Sequence, residues 1–352
     1  MVIERHIASS VSFVTTIAEY VVRNGGKRLR PVLCLFASRM AGAGMNDQRV
    51  INCAAAMEFF HTATLMHDDV IDSASLRRGK ASANSRWGNH VSVLVGDFFY
   101  CQASALLVGT GNMKIIRLIT EAMRATTEGE ILEIAKSNDL ATSEEDYLKI
   151  VTEKTAVLIA SACEIGGLLA NVSEEYVRAM KEYGQNLGVA FQLADDLLDY
   201  LSDDGRFGKI RGTDLKEGKM TLPLIVALRS CGSEERRLIR DALIAESLTE
   251  GHLREIVSII TRGGGIDYTL LQARAFVEKA KESLRPFKPS IEKEALLRIA
   301  DYVVDRKECG DLPIPPKGLK MVNSSWCDLR NFSRSFPSSP FALASFCAFT
   351  RP

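Results

Sequence analysis

A chain of 352 residues, 46% hydrophobic and 25% charged, has the length of one large domain or two ordinary ones and the composition of a soluble globular protein. Its 44 basic and 44 acidic residues cancel to a formal net charge of zero. That excludes the global basic field of a nucleic-acid-binding protein, so no nucleic acid partner is expected and any anion site must come from local clusters. Eight cysteines at 34, 53, 101, 163, 231, 309, 327 and 347 contain no CxxC pair and no tight Cys/His set. They read as reduced thiols of a cytoplasmic protein, not as a disulfide or zinc framework.

The first residues, Met-Val-Ile-Glu-Arg-His, carry no signal-peptide pattern. Apolar residues at helical spacing over 8–22 run into the loop 24–30, and Pro31 is expected as the first residue of the helix that continues to Met40. A second helix is predicted over Arg49 to Ile71, where Ala54-Ala55-Ala56 permit close packing. Val91 to Val108 is the longest apolar stretch, but Asp97 and Gln102 interrupt it and favour a buried core helix over a membrane span. Further helices are expected at about 113–136, 144–170, 174–201, 220–231, 234–246, 250–262, 267–284 and 290–306. No run alternates with period two, so no strands are predicted and the fold class is all-α, a helical bundle. Residues 1–307 form the folded domain; from about Glu308 a Pro/Ser/Phe-rich stretch without helical period is expected to be a loosely structured tail over 308–352.

Two acidic clusters carry the chemistry. Asp68, Asp69 and Asp72 end the helix over 49–71; Asp68 and Asp72 are four apart and project from one face. Side-by-side carboxylates suit a hard cation, and Mg²⁺ in particular is held by one or two carboxylates plus substrate phosphates. Asp195, Asp196 and Asp199 repeat the pattern 127 residues later, with Gln192 one turn earlier on nearly the same face. One such triplet is as often a solvated acidic turn as a site. Two, each on an apolar background, point inward and make a multi-metal centre in a bundle core. The Lys27-Arg28-Leu29-Arg30 turn after Gly25-Gly26 is a plausible phosphate clamp at a helix start, and Arg77, Arg78, Lys154, Lys209 and Lys219 supply further cations. Taken singly, each of these cations reads more readily as a solvated surface charge.

GGKRLRP at 25–31, DDVID at 68–72, RRGK at 77–80, GDFFY at 96–100, EKTA at 153–156, FQLADDLLD at 191–199 and GTDLKEGKMTLPLI at 212–225 occur in the order seen in trans-prenyltransferases. Over roughly 8–307 the chain resembles the long-chain trans-polyprenyl diphosphate synthases, most nearly the bacterial octaprenyl type. The resemblance implies an all-α prenyl synthase fold around a deep central cavity, usually in a homodimer. It also implies two to three Mg²⁺ ions per site, and sequential addition of isopentenyl diphosphate to an allylic diphosphate such as farnesyl diphosphate. The product is an octaprenyl-like chain for a quinone side chain, with a peripheral membrane contact for its release.

Carried over by position, Asp68 and Asp72 hold metal on the allylic diphosphate, and Asp195, with Asp199 one turn on, holds a further ion. Arg77 touches the allylic diphosphate; Lys27, Arg30, His61 and Arg78 bind isopentenyl diphosphate. Lys154 and Lys209 neutralise charge on the departing pyrophosphate, Lys219 is a further substrate-binding residue, and Thr155 and Gln192 line the reacting carbons. His61 lies two turns before Asp68 and shares its face, against the blander reading of a hydrogen-bonded core histidine. Small Ala63 and Thr64, with large Phe60 below, are expected to form the wall that sets chain length, so that Ala63→Tyr or Ala63→Phe shortens the product. The chain has less helix before residue 25 than family members usually have. Two other readings are a non-catalytic partner subunit of a heteromeric synthase and a terpene cyclase. The first usually lacks acidic motifs and the second lacks the GGKRLRP clamp.

Overall fold

The computed structural model describes residues 2–44, 46–201, 212–244 and 249–305. In chain order the helices are α1 (Val2–His6), α2 (Ser12–Arg23), α3 (Leu29–Met40) and α4 (Gln48–Ile71). A two-residue hairpin of β1 (Leu76–Arg77) and β2 (Lys80–Ala81) separates α4 from α5 (Ala83–Trp87), α6 (Asn89–Val108) and α7 (Met113–Lys136). α8 (Glu144–Val151) passes through a π-helical turn (Thr152–Ala156) into α9 (Val157–Ala170), followed by the long α10 (Glu174–Leu201). α11 (Thr213–Lys216), α12 (Leu222–Leu228), α13 (Ser233–Leu243), α14 (Glu250–Arg262), α15 (Gly265–Ser283) and α16 (Ile291–Asp305) complete the described chain.

Why α4 is central follows from its sequence. Asp47 caps it by accepting from the Arg49 amide at 2.9 Å. Every residue from Cys53 to Phe60 is buried, so this stretch is enclosed on all sides, against α3, α6 and α9. Ala54, Ala55 and Ala56 have no exposed surface and admit those neighbours at short range. One core cluster surrounds α4; a second gathers α8, α12, α14 and part of α10; a third joins α3, α9, α10, α15 and α16. α9 and α10 thus tie the bundle together. Their closeness depends on Gly184, where a Cβ would lie 2.7 Å from the Cα of Ala160. The all-α expectation holds, apart from the short hairpin.

Several local expectations change. α3 begins at Leu29, two residues before Pro31. The stretch predicted as one helix over 144–170 is interrupted by the π turn. The hairpin was not expected: Arg78 and Gly79, with φ of +54° and +74°, form a tight two-residue connection of the left-handed kind favoured between twisted strands. α6 is not wholly buried. By length and composition it is the one helix among the described residues able to cross a membrane, yet one face packs along α4 while Leu94 and Val108 on the other are 67% and 61% exposed. The expected tail over 308–352 and the expected site residue Lys209 lie outside the described residues.

Candidate active site

The inward face of α4 shows first in its spacing: His61, Thr64, Leu65, Asp68, Ile71 and Asp72 recur every three or four residues and line one cavity of about 930 Å³. α4 ends just there. Asp72 closes it, Ser73 takes a left-handed φ of +50°, and the Ala74 amide donates back to the Asp69 carbonyl at 2.9 Å. The reversal leads into the hairpin, which carries Arg77 and Arg78 to the cavity rim. Asp69 points away from the cavity and holds the hairpin: its carboxylate accepts from Arg77 Nε at 2.7 Å, and its carbonyl accepts from Asn84 at 2.9 Å. The Arg78 guanidinium reaches across to the Gly25 carbonyl and lies so close to Gly26 that a Cβ there would be 2.7 Å from it.

The opposite wall comes from α10 and the π turn. α10 presents Phe191, Gln192, Asp195 and Asp196 to the same cavity, so the two acidic motifs meet in space. Asp196 is fixed from within, accepting from the Tyr147 hydroxyl at 2.6 Å and from Gln192 Nε2 at 2.8 Å. Gln192 Oε1 in turn accepts from the Thr155 hydroxyl at 3.1 Å. The π turn begins where α8 ends; α8 is started by a reciprocal cap between Ser143 and Asp146. A π turn inserts one extra residue into a helix and frequently marks a functional position. Here it turns Lys154 and Thr155 inward together.

The third wall is α7. Glu130 and Glu133 line the cavity and both bind Lys154, with Glu130 2.7 Å from its Nζ. Lys219 lies 2.7 Å from Glu217 and 3.8 Å from Asp72. Burial, then repulsion from Glu130, pushes the Asp68 carboxyl up to about 7, with Lys154 opposing. Burial likewise holds Asp196 at about 7 against the hydrogen bonds from Tyr147 and Gln192. His61 is driven well below its ordinary value by burial and by the charge of Arg30, so its imidazole is neutral. Burial lowers Arg30 to about 10, and its Nε is buried with no hydrogen-bond partner in the protein. For Lys154 and Lys219 burial lowers the proton affinity, but Glu133 and the neighbouring carboxylates outweigh it and both are raised.

Of the residues expected from sequence, Asp68, Asp72, Asp195, Arg30, His61, Thr64, Arg77, Arg78, Lys154, Thr155, Gln192 and Lys219 line this cavity. Four do not. Lys27 lies between aromatic rings, its Nζ 5.9 Å from the Phe191 centroid and 5.7 Å from that of Tyr302. Asp199, expected as a metal ligand, accepts from the backbone amides of Thr213 and Asp214 at 3.2 and 3.1 Å and so starts α11. Ala63 is wholly buried in the core, and Phe60 stacks edge-on against Tyr100 at 4.9 Å. Thr64 and Tyr100 line the cavity, and Ala63 and Phe60 do not. Tyr100, Tyr147, Phe191, Glu130 and Glu133 were missed; for Glu130 and Glu133 the available signal was that they continue, at spacings of four and three, the face of α7 that runs through Ile119, Met123 and Thr126.

The donor set fits a hard divalent cation. Asp68, Asp72 and Asp195 offer oxygen only, and the Asp68 carboxyl is raised first by burial and then by the neighbouring Glu130. Among the described residues no group of three or more His, Cys, Asp or Glu side chains is placed to hold a metal ion by itself.

The Polyprenyl synthetase family model matches residues 11–260. The octaprenyl diphosphate synthase of Escherichia coli (strain K12) is 39% identical over 299 residues, 85% of this chain and 91% of that one. An all-trans-nonaprenyl-diphosphate synthase (geranyl-diphosphate specific) of Rhodobacter capsulatus is 37% identical, covering 86% of this chain and 92% of its own. Among solved structures, a polyprenyl synthase from Caulobacter crescentus CB15 complexed with calcium and isoprenyl diphosphate superposes with a TM-score of 0.82 at 42% identity, over 86% of this chain and 92% of that one.

Proposed function

Since this chain belongs to the polyprenyl synthetase family and is a prenyltransferase, we propose that it is a long-chain trans-polyprenyl diphosphate synthase. It adds isopentenyl diphosphate repeatedly to an allylic diphosphate such as farnesyl diphosphate, giving an octaprenyl-like product. The single observation that carries this reading is the meeting of Asp68 and Asp72 with Asp195 in one cavity that also holds Arg30, Arg77, Arg78, Lys154 and Lys219. Relatives named for octaprenyl, nonaprenyl and decaprenyl products support the long-chain class.

Asp68, Asp72 and Asp195 are the residues that would hold two to three Mg²⁺ ions, which when bound neutralise diphosphate charge and favour departure of the leaving group. The protein's own residues do the rest. Breaking the allylic C–O bond separates a carbocation from pyrophosphate, and Lys154, Lys219 and Arg77 stabilise the departing charge from fixed positions. Arg30, with its unpartnered buried Nε, and Arg78 bind the second diphosphate, beside a neutral His61 able to donate or accept a hydrogen bond. The hydrogen-bonded Thr155 and Gln192 place oxygen atoms beside the cation. Leu65, Met123 and Val151 add apolar wall and exclude water. The isopentenyl double bond attacks the allylic carbon, and the proton lost to form the new alkene passes to the pyrophosphate just released.

A homodimer formed through the exposed apolar face of α6 belongs to the same proposal, supported by Leu94 and Val108. Cytoplasmic placement belongs to the same proposal. Incubation of the purified protein with farnesyl and isopentenyl diphosphates and Mg²⁺ tests the activity. Chain-extended diphosphates support it. No product points to a non-catalytic subunit, and a hydrocarbon without isopentenyl uptake points to a cyclase.

A further inference from the structure

A cavity that receives two diphosphates has no evident use for additional carboxylates, yet α7 places Glu130 and Glu133 in its wall, outside both acidic motifs. Both are bound to Lys154. The contact is built in: Gly129 lets α7 abut the π turn so closely that a Cβ there would lie 2.6 Å from the Lys154 amide nitrogen. Lys219, from the far side, is held by Glu217 and Asp72, and Glu133 is the leading charge acting on it. Glu133 thus pairs with Lys154 directly and acts on Lys219 only through its field.

We infer that Glu133, assisted by Glu130, is a positioning residue: a counter-ion that keeps Lys154 and Lys219 extended into the cavity between turnovers and competes with pyrophosphate for them. A buried ammonium ion without a partner is costly, so in an empty cavity the lysines need an anion of the protein's own. Diphosphate takes over that role during the reaction. When pyrophosphate must leave, the α7 carboxylates reclaim the lysines and lower the cost of its departure. The inference rests on the proposed function, since it assumes that Lys154 and Lys219 meet the leaving group.

Glu133→Gln keeps shape and hydrogen bonding but removes the charge. The expected result is a pair of opposed changes: inhibition by inorganic pyrophosphate with Mg²⁺ tightens by about fivefold to tenfold while kcat falls by about tenfold. Glu133→Asp, which restores the charge, returns the inhibition constant most of the way to its original value. In a Lys154→Met background, where binding of pyrophosphate is read by calorimetry, Glu133→Gln has a smaller effect than in the wild type, because the two residues act through each other. Pyrophosphate affinity unchanged or weakened by Glu133→Gln overturns the inference. So does an effect of equal size in the Lys154→Met background, which would show simple repulsion. Wild-type protein that extends no chain overturns the proposed function instead, and the pyrophosphate titration still decides the role of Glu133.

Discussion

Asp69 and Asp196 occupy the same middle place in the two acidic triplets, and each serves as scaffold for its neighbours. Asp69 clamps Arg77 and with it the hairpin; Asp196 takes hydrogen bonds from Tyr147 and Gln192. The spacing in sequence shows that Asp68 and Asp72 share a face, but a symmetric triplet does not reveal which member ends up capping another helix. Asp199 is the case in point. Asp68→Asn and Asp195→Asn are expected to lower kcat by about a hundredfold or more, the loss of several kcal/mol of charge stabilisation. Asp199→Asn, which loses one amide acceptor, is expected to cost about 1 kcal/mol of stability with kcat kept within about fivefold. Steady-state kinetics and urea unfolding on the three variants separate the roles. The same distinction applies to chain length. Thr64→Phe projects into the cavity beside Tyr100 and is expected to shorten the product on chromatographic analysis. Ala63→Phe instead overpacks the core, at a cost of about 1–3 kcal/mol.

At the scale of elements, long helices were readable because apolar spacing persists over several turns: α7 and α10 occupy the predicted spans 113–136 and 174–201. The hairpin was not, since two residues per strand give no alternation to detect, and only the left-handed Arg78-Gly79 pair marks it. The π turn was not readable either. Thr152 to Ala156 has ordinary helix composition, and its extra residue shows only through what it packs against. That neighbour is Gly129, so the turn's position is set by an absent side chain on another helix. Gly129→Ala is expected to push the π turn outward, displace Lys154 from the cavity, lower kcat by about tenfold and cost about 1–3 kcal/mol in denaturant unfolding. Unchanged kinetics in a destabilised variant would detach the π turn from catalysis.

For the molecule as a whole, the residues of the cavity come from positions as far apart as Arg30 and Thr221, on five of the longer elements. Their chemical types were legible in the sequence; their pairings were not, because Lys154 with Glu130 or Asp68 beside Glu130 exist only once α4, α7 and the π turn are packed. Packing also makes the cavity an acid–base element of the fold. Asp68 and Asp196 are raised to about 7 from an ordinary carboxyl value of 3.8, chiefly by burial. Between those limits the folded state binds protons that the unfolded chain releases, so stability from these groups falls as pH rises and the loss is complete above about 7. His61, whose value is lowered, acts in the opposite sense, but only below about 6.5, where the unfolded histidine takes a proton. From pH 6.5 to 8 the carboxylates therefore dominate. The metal-free protein is expected to melt at a lower temperature at pH 8 than at pH 6.5. Mg²⁺ with inorganic pyrophosphate requires the ionised form of Asp68 and is expected to raise the melting temperature more at pH 8. In Asp68→Asn that pH-dependent gain should shrink, while the contribution of Asp196 to the metal-free slope persists. Differential scanning fluorimetry at the two pH values, with and without Mg²⁺ and pyrophosphate, measures each of these. A gain equal at both pH values in the wild type would remove Asp68 from the metal site.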